Sequence, residues 1–361
     1  MTGKESVHSR VTGVTALLAV GAFLGAAMLC ERPGPKATTH APAAVLRDTV
    51  CSLRLLAVGD INLGRAVGQA LLAGDSLYPF LAVRDTFLAY DIVFGNLESV
   101  LSDQGGVTQD PFQNLVFCGP PEGARALRLG GVTIVSTANN HALDYGRRGR
   151  DETIDYLSRE GVAFAGTSKD TARLFLPTVL ERNGIRCAFF ACAEFMNTGG
   201  EAWKKLVMPA DSGRIFPLIR AYRDSVDFIT LSYHGGDEYA DQPSSRVVAF
   251  AHAALQSGAD LFLGHHPHVP YSVVPAGKGL MAPSLGNFVF RQPARFWTQR
   301  SFGLSARIVK DTRGTRLASY ACLPAGAGAQ PRFLQRGADA ESVIARVQLP
   351  AHNTRVEVGT W

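Results

Sequence analysis

The sequence predicts a layered α/β domain preceded by one N-terminal hydrophobic helix. Three observations carry this reading. Apolar runs of strand length alternate with stretches of helix length, the pattern of a repeated β-loop-α-β unit. Five of those runs end in a polar group able to bind metal or carry a proton, which is where α/β folds place their chemistry. Ahead of all of them, residues 11–30 are uncharged and mostly apolar.

Composition narrows the function. Hydrophobic residues make up 46% of the 361 and charged residues 19%, a globular balance without the signature of extended disorder. At about 150 residues per domain the length allows one large domain or two. The net charge of +5 comes from scattered arginines with no basic run, which argues against nucleic-acid binding and suits an anionic substrate.

In chain order, residues 1–10 hold Lys4 and Arg10 and read as a cytoplasmic tail, because basic residues N-terminal to a span stay inside. Residues 11–30 are long enough to cross a bilayer as a helix. An uncleaved anchor and a cleaved signal segment both fit, and both place the rest outside the cytoplasm. A lipoprotein site at Cys30 is disfavoured because Met28-Leu29 precedes it. Residues 31–50, rich in Pro, Ala and Thr, read as a flexible tether. Beyond it Cys51, Cys118, Cys187, Cys192 and Cys322 show no CxxC spacing, so a thiolate metal site is not expected. One or two disulfides are allowed, with no pairing given by the spacing.

The run 53–58 is a buried strand that delivers Asp60 and Asn62, followed by a helix over 65–73. A second strand over 91–94 delivers Asn96 and Glu98. A helix over 120–129 leads to the strand 132–136, which runs into Asn139-Asn140-His141 and Asp144. A helix over 150–160 and a short strand over 162–164 follow, then strands over 186–191 and 226–232. The last of these delivers His234, Gly235, Gly236, Asp237 and Glu238. A helix over 244–256, in which His252 takes a packing position, leads to the strand 259–263 and to His265-His266-Pro267-His268. Residues 273–290, with Asn287 near their end, suggest a hairpin-like sheet element. Two antiparallel strands over 301–309 and 315–322 flank a turn at 311–314. The main domain thus spans 51–323, and 324–361 reads as a peripheral extension.

Singly, each polar strand end has an ordinary explanation, such as an N-cap for Asp60 or a turn for Glu98. Five at one topological position point to convergence at one sheet edge. Two carboxylates, several imidazoles and an amide oxygen suit one or two divalent ions of the Mn, Fe or Zn kind. A pair of such ions ~3.5–4 Å apart can bind phosphate oxygens and activate water.

The ordered motifs GDINLGR, FGNLES, NNHALDYG, HGGDEY, GHHPHV and SLGNF resemble the CapA family of capsule and poly-γ-glutamate synthesis proteins, similar in fold to the calcineurin-like metallophosphoesterases. The resemblance implies a four-layer α-β-β-α sandwich on a single-pass membrane anchor, with the domain periplasmic or extracellular. It implies an anionic envelope polymer such as poly-γ-glutamate as partner, with polymer synthase subunits alongside. Carried across by motif, Asp60, Glu98, Asn140, His234, His266 and His268 hold metal and His141 is catalytic. Asn62, Asn96, Asp144, Glu238, His265 and Asn287 support them or touch substrate. Two departures stand out. Asn62 replaces a histidine and Glu98 an aspartate of the wider superfamily, which bears on two-ion occupancy. Gly235 replaces the family's usual Trp, which predicts a more open pocket on that side. Three functions stay open: a metal-dependent hydrolase of an envelope phosphoester or γ-glutamyl polymer, a non-catalytic accessory subunit of a polymer synthase, and an envelope phosphoesterase with an unrelated substrate.

Overall fold

The computed structural model describes residues 50–347. The anchor read at 11–30, all but the last residue of the tether and residues 348–361 lie outside the described residues. Among those described, no helix is long and apolar enough to cross a membrane.

The chain opens with β1 (Cys51–Ile61), buried at every position from Leu55 onward. Burial on both faces is what a central strand in a covered sheet requires. Helices α1 (Arg65–Leu72) and α2 (Arg84–Leu88) lead to β2 (Ile92–Leu97), parallel to β1. A small parallel pair, β3 (Val100–Leu101) and β4 (Cys118–Gly119), stands beside it. Next come α3 (Glu122–Gly130), β5 (Ile134–Ser136), α4 (Gly146–Glu160) and β6 (Ala163–Ala165), with β5 parallel to both β2 and β6.

A second sheet follows. It holds β7 (Thr178–Arg182), β8 (Ile185–Ala193), β9 (Phe228–His234), β10 (Leu261–His265), β11 (Val274–Ala276) and β12 (Gly279–Ala282), with α5 (Ser212–Tyr222) and α6 (Ser245–Gln256) between its parallel members. The chain then returns to the first sheet. There β13 (Asn287–Val289) lies parallel to β1, and β14 (Arg300–Asp311), β15 (Gly314–Gly326) and β16 (Arg332–Phe333) extend the sheet antiparallel, before α7 (Ala338–Val347). The result is a mixed α/β fold of two large sheets and helices.

Three apolar cores position these elements. One joins inward residues of both sheets, among them Leu55, Phe94, Phe189, Leu263 and Leu304. Another packs Leu56, Val93 and Val135 against Val67 and Leu71 of α1, Leu127 of α3 and Leu157 of α4. A third packs Phe190, Leu231 and Phe262 against Ile215, Ile219, Val247 and Ala251 of α5 and α6. Alternating residues of one strand thus serve two cores, as Leu55 and Leu56 do in β1, because side chains alternate across a sheet.

Two expectations are corrected. The stretch 284–290 does not close a hairpin with β11 and β12. It crosses to the other sheet, where Asn287 pairs with Asp60. Residues 324–347 are not peripheral: β15 runs through to Gly326, and α7 buries Val343 and Val347 completely in the inter-sheet core. Their i, i+4 spacing puts both on one helix face. None of the five cysteines beyond the tether is bridged.

The crossing fixes one glycine. A Cβ at Gly59 would stand 1.8 Å from the carbonyl oxygen of Gly286, the same oxygen that accepts the N–H of Asp60 at 3.0 Å. Backbone, not a flexible side chain, is in the way. Gly59→Ala is therefore expected to cost about 3 kcal/mol or more, the upper range for overpacking, read as a lower urea midpoint at unchanged slope.

Candidate metal centre

Strand register assembles the site. Asp60, at the end of β1, has Asn96 of β2 on one side and Asn287 of β13 on the other. In the second sheet His265, ending β10, pairs with His234, ending β9. Parallel strands deliver their polar ends to the same edge, and the shared core brings both edges together.

The carboxylates lie at the centre, and both are fully buried. Asn96 Nδ2 donates to Asp60 Oδ1 at 2.9 Å. His268 Nδ1 lies 3.2 Å from Asp60 Oδ2, and His265 Nδ1 lies 3.3 Å from Asp60 Oδ1. Burial pushes the Asp60 carboxyl up, but the hydrogen bonds and charges of His265 and His268 outweigh it and hold it well below its usual range. Glu98 has no such compensation. Burial, then the charge of Asp60, then those of Glu238 and Asp144, push it well above the usual carboxylate range.

Among the described residues, three groups of side chains have ligand atoms close enough to share one ion. They are Asp60, Glu98 and His268; Glu98, His234 and His266; and Glu238, His266 and His268. Glu98 belongs to two of them. Its Oε1 is 3.6 Å from His234 Nε2 and 3.9 Å from His268 Nε2. Asn140 stands beside the second group, its Oδ1 within hydrogen-bond distance of His234 Nε2 at 2.7 Å. Burial, followed by neighbouring imidazoles, lowers both His234 and His266, the latter to about 4. Neutral imidazole is the form that ligates metal.

The residues fit a divalent cation. Both oxygens of Glu98 are buried without a hydrogen-bond partner, and a buried carboxylate left so is strongly unfavourable unless a charge compensates it. The backbone agrees, because His266 at φ 97 and His268 at φ 59 adopt left-handed conformations. Such strain at side-chained residues gathers at ligand clamps.

Supporting residues orient these donors. Asn287 Oδ1 accepts from His268 Nδ1 at 2.9 Å, which leaves Nε2 free to ligate, while its Nδ2 donates to Gln292 and to the carbonyl of Thr298. An amide or carboxylate behind a ligating histidine is the usual way to set its tautomer and direction. Asn139 Nδ2 donates to Asn96 Oδ1, and Asn139 Oδ1 accepts the N–H of His141. His141 stands outside the three groups. Its Nδ1 lies 2.8 Å from Asp144 Oδ2, which also accepts the N–H of Phe117 at 2.6 Å. An ionised carboxylate only accepts, so Nδ1 carries the proton and Nε2 is left for chemistry. The ring of Phe117 stacks on His141 with centroids 4.2 Å apart.

The expected supporting residues divide. Asn96, Asn287, Asp144 and His265 lie against the centre as above, and Glu238 is an exposed member of the third group. Asn62 uses its Oδ1 to accept the N–H of Gly64 at the start of α1, while its Nδ2 is buried without a partner. The position of Gly235 is not open. A Cβ there would stand 2.5 Å from Glu194 Oε2, and Glu194 accepts from Gly236 N–H and pairs with Arg246. Sequence reasoning named Asn139 in the strand-end run without giving it a role, and missed Glu194, Phe117 and Gln292. The Asn-Asn pair at 139–140 was the one available signal.

Comparison with known proteins agrees with the motifs. Residues 54–292 match the model of the family described as bacterial capsule synthesis protein PGA_cap. The chain is 32% identical over 273 residues to the capsule biosynthesis protein CapA of Bacillus anthracis, covering 72% of this chain and 64% of that protein. It is 31% identical over 248 residues to the PGA biosynthesis protein CapA of Bacillus subtilis strain 168, covering 67% and 63%. The chain therefore spans a little under two thirds of the length of these relatives. Among solved structures, a calcineurin-like phosphoesterase from Bacillus subtilis aligns with TM-score 0.43 and 14% identity, over 82% of this chain and 97% of that one.

Proposed function

This chain belongs to the PGA_cap family of bacterial capsule synthesis proteins, and from that membership we propose that it is a membrane-anchored envelope protein that acts by metal-dependent hydrolysis on an anionic polymer such as poly-γ-glutamate. One observation carries the reading: Glu98 is shared by two donor groups, and its two oxygens are buried with no hydrogen-bond partner. Asp60, Glu98 and His268 would hold one divalent ion of the Mn, Fe or Zn kind, and Glu98, His234, His266 and Asn140 a second. When bound, such ions polarise the substrate oxygen and acidify water. The rest falls to the protein. Asp144 fixes the tautomer of His141, whose Nε2 passes a proton at the leaving group. Asn96 and Asn287 hold Asp60 and His268 in place. The three cores support the α-β-β-α order of layers, and residues 11–30 are assigned the anchor role, with the domain outside the cytoplasm beside polymer synthase subunits.

The test uses full-length protein purified with Mn. The expected result is about one to two retained ions and turnover of bis-p-nitrophenyl phosphate or of a γ-linked glutamyl oligomer, abolished by EDTA and restored by Mn. Retained metal without turnover of either substrate would move the assignment to a non-catalytic accessory subunit. Absence of metal would remove the centre altogether.

A further inference from the structure

Arg65, the last residue of the first motif, is held beside the centre with no ion-pair partner among the described residues. Its guanidinium stands 4.6 Å from the ring centroid of Phe117 and 6.0 Å from that of Phe290. Phe117 is the ring that stacks on His141, and Phe290 lies 5.1 Å from the ring of His268. One Nη donates to the carbonyl of Asn114 at 2.7 Å, while Nε is buried without a partner. The backbone is strained to put it there. Arg65 has φ 54, with its N–H donating to the carbonyl of Thr108 and its own carbonyl accepting from the Thr108 hydroxyl.

A guanidinium offers five donors in a fork that matches carboxylate or phosphate oxygens. Here most of that fork is unused, on a cation half-buried against aromatic rings and away from any carboxylate. We propose that Arg65 is the anion-binding element of a substrate subsite, taking an oxyanion that flanks the bond to be broken. The shared wall of Phe117 sets that oxyanion apart from His141, so it is a neighbouring group of the substrate, not the reacting one. An extended chain with repeated carboxylates or phosphates has such a group. The inference rests on the proposed hydrolase reading for its location but not for its test.

Full-length wild type, Arg65→Lys, Arg65→Gln and the surface control Arg159→Ala are titrated calorimetrically with inorganic phosphate and with γ-linked triglutamate, first in EDTA and then with Mn restored. Thermal melting in parallel establishes that each variant is folded. In EDTA both Arg65 variants are expected to bind at least one probe ~10-fold or more weakly than wild type, the effect of losing a charge-assisted hydrogen bond, while Arg159→Ala binds as wild type. Loss confined to the peptide identifies a carboxylate as the natural group; loss confined to phosphate identifies a phosphoester. Binding of neither probe by wild type, or equal binding by folded Arg65 variants, overturns the proposal. Arg65-dependent binding in a protein that retains no metal leaves the subsite standing and removes the hydrolase reading.

Discussion

Glu98→Gln is expected to weaken metal retention at least ~100-fold, measured by elemental analysis after dialysis against a graded metal buffer. Loss of an outer-shell partner alone typically costs 10–100-fold. Glu98 belongs to two of the three candidate groups, so under the proposed two-ion reading its loss should fall at or beyond that limit for both ions. Glutamine keeps the volume and one carbonyl oxygen but removes the charge. A second effect has the opposite sign. Without metal, Glu98 is fully buried, repelled by Asp60 and without a hydrogen-bond partner. Neutralising it should raise the melting temperature of the EDTA-treated protein above that of EDTA-treated wild type. With Mn present the order should reverse, because only wild type gains the stabilisation that a bound ion confers on the native state. Full metal retention by Glu98→Gln, or the same melting order with and without Mn, would show that Glu98 is a buried structural acid and not a donor.

That crossing of melting curves also marks what the sequence could and could not reveal. Asp60, His234 and His265 end strands whose apolar runs are readable residue by residue, so their arrival at a common edge follows from parallel topology. The close spacing of His265, His266 and His268 was the strongest local signal. The contacts that make a centre of them are not local. Asn287 meets Asp60 and His268 only because the chain leaves β12 and crosses to the other sheet, and short apolar stretches such as 284–290 fit a hairpin equally well. Asn96 was expected as a supporting residue, but the register opposite Asp60 that puts its amide on that carboxylate is not readable from the chain. Gly235 was misjudged because the residue that fills its place, Glu194, comes from the end of a different strand. Arg65 and Phe117 meet through a loop without periodicity, and no pattern in the chain announces an aromatic clamp.

His141→Ala should separate chemistry from metal binding. The imidazole lies outside all three donor groups, so metal content and the Mn-dependent rise in melting temperature are expected to match wild type. Turnover should fall by ~10²–10⁴, the usual worth of a positioned proton donor, with the loss in kcat and little change in KM if His141 acts on the leaving group only in the transition state. Asp144→Asn tests the same step from behind. An amide can present its N–H to Nδ1, which favours the tautomer with the proton on Nε2, so kcat should fall although the ring remains against Phe117. The Asp144 side chain also accepts the N–H of Phe117, and melting of the variant reports how far that contact matters for folding. Restoration of activity to His141→Ala by added imidazole would tie the loss to the missing proton carrier. If instead His141→Ala loses metal along with turnover, His141 is a ligand, and the proton at the leaving group must come from elsewhere in the site, with exposed Glu238 the next group to examine.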